Sequence, residues 1–187
     1  MDRREVIKLI TIATGAALVG GELIFTGCTP EKKPTGDSLF GSKELDLLGD
    51  IAETIMPRTE TPGAKDAGVA EFIAGTVDRC YFEPDQQTFM AGLVTIEETS
   101  RSRYGKQFGR LTGEQKTEML QDLDREARAY RRPDGVTAHY FTMMKQLAIY
   151  GYFTSEIVQK QVLRHVPIPG SYDGCMPYNE GDPAWAI

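Results

Sequence analysis

From Ser42 onward the apolar positions recur at helical spacing. Leu48, Ile51, Ala52, Ile55 and Met56 fall at i, i+3, i+4, i+7 and i+8, one face of a helix that Pro57 should end. Thr61-Pro62-Gly63-Ala64 predicts a turn. Val69, Phe72, Ile73, Thr76, Val77 and Cys80 repeat the spacing and place Cys80 on a buried face. Pro84-Asp85 is a start signal for a third helix with Phe89, Met90, Leu93 and Ile96 inward. Thr112-Gly113-Glu114-Gln115 has capping-box form, opening a charged helix with Met119, Leu120, Leu123 and Ala127 inside. Arg132-Pro133-Asp134-Gly135 breaks the chain again. Residues 136–152 then read as a helix carrying Tyr140, Phe141, Met143, Met144, Leu147, Ala148 and Tyr150. It is apolar on more than one face and therefore central. A shorter helix over residues 155–164 precedes a tail rich in proline and glycine. No period-2 strand pattern of useful length and no internal repeat occurs. The expected class is all-α, a single small bundle of about five to six helices over residues 42–187.

The start of the chain follows another pattern. Arg3 and Arg4 precede Leu9–Phe25, an apolar run of 17 residues that leads into Thr26-Gly27-Cys28. A charged segment, an apolar segment and small residues before a cysteine make a secretory signal. The arginine pair resembles the twin-arginine export signal, which routes proteins that fold before crossing the membrane. Phe25-Thr26-Gly27-Cys28 resembles a bacterial lipobox, with Phe in place of the usual Leu, in which the signal is cut before a cysteine that then carries lipid. A transmembrane anchor is the alternative, but the run is broken by glycines and Glu22 and falls short of the roughly 20 apolar residues a span needs. The expected organisation is a signal over 1–27, a linker over 28–41 and the helical domain over 42–187. The linker's Pro30, Glu31, Lys32, Lys33 and Pro34 suit a solvated spacer.

Charge and cysteine count narrow the setting. The net charge is −6, and residues 1–27 carry equal numbers of acidic and basic side chains, so their removal leaves it unchanged. Such a surface is not built to neutralise phosphates. The basic cluster Arg101, Arg103, Lys106 and Arg110 reads as a solvated helix end, and nucleic acid is not expected as a partner. Of three cysteines, a lipidated Cys28 leaves Cys80 and Cys175. In an oxidising compartment that even remainder suggests one disulfide, Cys80–Cys175. Two unpaired buried thiols are the alternative.

Catalytic patterns are missing. No Gly-x-Gly-x-x-Gly follows a strand, no Cys-x-x-Cys-His holds haem, and neither His139 nor His165 has Glu three residues before it as a di-iron bundle requires. Without Gly-x-Ser-x-Gly a hydrolase triad is unattractive. His139 reads as a hydrogen-bonded helix histidine, and His165 as a helix-end cation. Met143 and Met144 read as core packing. The aromatic cluster Tyr140, Tyr150, Tyr152 and Phe153 reads as core, with a partner-facing surface as the alternative.

A resemblance adds what the motifs do not. Leu47–Pro57 followed by Thr61-Pro62-Gly63-Ala64 and Ala67-Gly68-Val69, then Gly151-Tyr152-Phe153-Thr154-Ser155-Glu156, Val166-Pro167-Ile168-Pro169-Gly170-Ser171-Tyr172-Asp173-Gly174-Cys175 and Ala184-Trp185-Ala186-Ile187, are similar to the gluconate 2-dehydrogenase subunit 3 family. The resemblance spans roughly residues 44–187 and rests on packing and turn signatures. It implies a small helical subunit with no catalytic residues of its own. The implied partner is a flavin-dependent large subunit of the glucose–methanol–choline type, which holds FAD and oxidises sugars or sugar acids outside the cytoplasm. A cytochrome c subunit often takes the electrons. No cofactor is expected on this chain. Its leader would carry the folded flavoprotein to the periplasmic side, and lipid on Cys28 would hold the assembly at the membrane. A free-standing envelope lipoprotein that binds a ligand or protein is the competing expectation.

Overall fold

The computed structural model describes residues 38–131, 137–168, 170–171, 173–177 and 179–186. Among the described residues six α-helices follow one another: α1 (Ser42–Ile55), α2 (Val69–Cys80), α3 (Glu83–Tyr104), α4 (Gly113–Ala129), α5 (Tyr140–Thr154) and α6 (Glu156–Gln161), with a 3-10 turn at Phe108–Arg110. This is the all-α bundle the periodicity predicts.

Local chemistry sets the helix ends. The Glu44 carboxylate accepts the Gly41 N–H at 3.0 Å and occupies the first turn of α1, where the helix dipole favours negative charge. Gly68 (φ +64°) and Gly105 (φ +69°) take left-handed backbone at the start of α2 and the end of α3. The Thr112 capping box forms as expected. Its Oγ1 accepts the Gln115 N–H at 3.3 Å, and the Gln115 Oε1 accepts the Thr112 N–H at 3.1 Å.

The predicted inward faces are the core. Leu48, Ile51, Ala52, Val69, Ile73, Val77, Phe89, Leu93, Ile96, Met119, Leu120 and Leu123 are buried in one cluster. Full burial of each larger aliphatic or aromatic side chain contributes roughly 1.5–3 kcal/mol. α5 is central, as its many-sided apolar pattern predicts, and packs on α1, α2, α3, α4 and α6. Two glycines permit its closest approaches. Gly92 of α3 lies against the Tyr140 ring, and Gly151 receives the Phe72 ring of α2.

Three differences from the sequence expectation have physical causes. α5 begins at Tyr140 rather than at residue 136, because the His139 side chain caps it: Nδ1 accepts the Phe141 N–H at 3.2 Å. α6 ends at Gln161 rather than 164. Arg164 and His165 instead form a strand, β1, paired in parallel with β2 (Trp185–Ala186) in the register Arg164↔Trp185 and His165↔Ala186. His165 is therefore a strand residue, not a helix-end cation. Two-residue strands are too short to show a period in sequence; the pair is held by its backbone bonds and by the Arg164 guanidinium, 4.1 Å above the Trp185 ring. Among the described residues no helix is long and apolar enough to cross a membrane.

Candidate partner-binding surface

The residues singled out for chemistry mostly serve the fold. His139 is buried, caps α5, stacks on Tyr140 at 4.4 Å between ring centres and lies 3.7 Å from the Glu126 carboxylate. Met143 and Met144 are core residues, as expected. Burial and the nearby Glu126 push the Tyr140 hydroxyl up to about 12. Lys145 donates to Asp124 at 2.6 Å, and that hydrogen bond holds the Asp124 carboxyl below its ordinary value. Among the described residues no three His, Cys, Asp or Glu side chains converge as a metal site would require.

A cleft of about 540 Å³ lies between α1, α3 and the 3-10 turn, lined by Leu47, Met90, Leu93 and Val94 among others. Several of its carboxylates are already engaged. Asp50 pairs with Lys65 at 2.7 Å and with Lys116 at 3.6 Å. Glu97 accepts the Phe108 N–H at 3.2 Å and faces Arg101 at 3.6 Å. These contacts tie the 3-10 turn and the α2 entry to the bundle.

A different surface breaks the usual helix pattern. The outward stripe of α5 starts polar with Thr142, Lys145 and Gln146, then continues as Ile149, Tyr150 and Phe153, all exposed. The expected aromatic core cluster thus divides. Tyr152 is buried and its hydroxyl donates to the Pro62 carbonyl at 2.8 Å, and Tyr140 is half-buried, whereas Tyr150 is 61% exposed and Phe153 40%. The divide follows from helix geometry: Tyr150 and Phe153 lie on the side away from the face that Leu147, Ala148 and Gly151 turn inward. Phe72 extends the patch onto α2, its ring 5.8 Å from that of Tyr150.

Arg3, Arg4 and Cys28 lie outside the described residues. Cys80 and Cys175 are both exposed and both free thiols, so the expected bridge is not formed, and Cys80 is not on the buried face assigned to it. Cys80 is the last residue of α2, beyond the buried Val77, and Cys175 sits in an exposed turn where its N–H donates to Asp173 at 3.0 Å. The tail is fastened to the bundle at β1–β2, not at the end of α2.

A family model described as gluconate 2-dehydrogenase subunit 3 matches residues 42–170, more than half of the chain and all six helices. The chain belongs to that family. Membership makes it an accessory subunit of a dehydrogenase complex, with the other subunits of that complex as its partners. The match ends before Cys175 and Trp185, so these members of the sequence resemblance stand outside it. No curated protein and no solved structure matches the chain. The sequence leaves the aromatic cluster Tyr140, Tyr150, Tyr152 and Phe153 as core or as a partner-facing surface, and the structure divides it, with Tyr150 and Phe153 exposed within the uncharged residues 146–155.

Proposed function

We propose that this chain is the non-catalytic small subunit of a membrane-tethered, FAD-dependent dehydrogenase that oxidises sugars or sugar acids on the periplasmic side. The observation that supports this most directly is the family match over the whole helical bundle, residues 42–170. FAD and the catalytic base belong to a large subunit of the glucose–methanol–choline type, and a cytochrome c subunit is the natural electron acceptor. Arg3 and Arg4 fit a twin-arginine leader, the route a flavoprotein already folded around its cofactor requires. A partner without its own signal would travel on that leader. Lipid on Cys28 then holds the complex at the membrane. A single acyl chain anchors only marginally, so the multiple chains of a lipoprotein or a second contact are needed for stable attachment.

Affinity capture of this chain from detergent-solubilised membranes tests the reading. A flavin-containing large subunit should be recovered with it, and recovery of this chain alone refutes the proposal. Cys28→Ser should shift the complex to the soluble fraction with its helical content intact; continued membrane attachment refutes the lipid tether. A second reading, a free-standing envelope lipoprotein, draws on the 540 Å³ cleft between α1 and α3. It predicts capture of the chain without flavin.

A further inference from the structure

We infer that the aromatic face formed by Ile149, Tyr150 and Phe153 of α5 with Phe72 of α2 is the surface on which the catalytic subunit docks. This rests on the accessory-subunit reading and names the contact within it.

Residues 146–155 carry no charged side chain, although one residue in four of the chain is charged. Ile149, Tyr150 and Phe153 are three exposed large apolar side chains on one stripe, whereas among the described residues Phe82, Val94 and Tyr130 each stand alone on their helix or helix end. Interface centres are depleted of charge and enriched in aromatic residues, and tyrosine is among the commonest residues to dominate binding energy.

Gly151 lets Phe72 lie directly against α5, where a Cβ would come 2.5 Å from the Phe72 ring. The Phe153 carbonyl accepts from Gln159 Nε2 at 2.6 Å, and Tyr152 is tied to Pro62, so the end of α5 is pinned from two sides. Aromatic groups on a fixed helix cost little further entropy on binding.

The chain enters the bundle at Ser38, whose hydroxyl donates to Asp78 at 2.7 Å, six residues and roughly 9 Å of helix beyond Phe72. The segment before it carries Glu31, Lys32, Lys33 and Asp37, charges that suit water rather than an uncharged aromatic face. The three α5 side chains expose on the order of 300 Å². That area fits the centre of an interface of about 800 Å² per partner, with Gln146, Thr154, Glu156 and Lys160 at its rim. A subunit of a heteromeric complex has such a partner.

Photo-crosslinking on the full chain, co-expressed with the flavoprotein, tests this. Benzoylphenylalanine in place of Tyr150 should crosslink to the catalytic subunit. A crosslink to residues 1–27 of the same chain, a crosslinked pair of copies of this chain, or no crosslink in a complex that has formed overturns the inference. Tyr150→Ala with Phe153→Ala should weaken capture of the flavoprotein about a hundredfold, and Phe82→Ala should leave it unchanged. Undiminished capture by a double variant with wild-type helical content overturns the inference and leaves the accessory-subunit reading standing. Failure of the wild-type chain to capture any flavoprotein removes both.

Discussion

Gly92 of α3 packs directly against the root of the Tyr140 side chain on α5, and Gly92→Ala should loosen the bundle. An added Cβ would lie 2.5 Å from the Tyr140 Cγ and 2.6 Å from its Cβ. Ordinary carbon contacts are about 3.5–4.0 Å, so α3 and α5 must separate by roughly 1 Å. The clash is with the root of the tyrosine side chain and cannot be relieved by turning its far end. Overpacking of this kind costs about 1–3 kcal/mol, and the upper end applies where the obstacle is close to backbone. Replacing glycine by alanine within a helix returns about 1 kcal/mol. The net loss is about 2 kcal/mol, which for a chain of this length lowers Tm by about 4–8 °C. Thermal and urea denaturation followed by helical circular dichroism measures it. Gly113→Ala, where a Cβ would meet nothing within 4 Å, is the matched control and should be neutral or stabilising by a few tenths of a kcal/mol. A Gly92→Ala protein as stable as the wild type would refute the packing argument.

Thr112→Ala removes the acceptor for the Gln115 N–H and should cost about 1 kcal/mol in the same unfolding assay. The Asp124 carboxyl is held below its ordinary 3.8 by Lys145, so its stabilising effect is present above that value and lost as the pH falls through the lower folded value. The Tm difference between wild type and Asp124→Asn should therefore shrink on acidification; a constant difference from pH 6 to pH 2.5 would contradict the assignment. Cys80 and Cys175 are exposed thiols, and both should react with a maleimide in the native protein without reductant. Modification only after reduction would show a bridge the structure does not contain.

Much of the fold was legible because burial follows helical period where a neighbour covers the helix. Leu48, Ile51 and Ala52 on α1 and Met119, Leu120 and Leu123 on α4 are buried as their spacing requires. The Thr112 box was readable because its chemistry is local. Period identifies a side of a helix but not how far the covering element extends. Cys80 keeps step with Val77 and yet stands exposed at the end of α2. The same limit hid the aromatic face. Tyr150 and Tyr152 look alike in sequence, and only the packing of α5 separates the buried residue from the exposed one. The start of α5 depended on His139 acting as a cap, a role outside the usual Ser, Thr, Asp and Asn set. The β1–β2 pairing joins residues about twenty apart through two-residue strands, leaving no periodic trace.

The most direct test of the central claim is native mass spectrometry of the material captured through this chain from membranes. The account predicts an assembly containing one or more copies of the chain with a large subunit that retains FAD and oxidises a sugar or sugar acid when given an artificial electron acceptor. The isolated chain should show no such turnover. Capture of the chain alone, or turnover by the chain without a flavoprotein, would contradict the account.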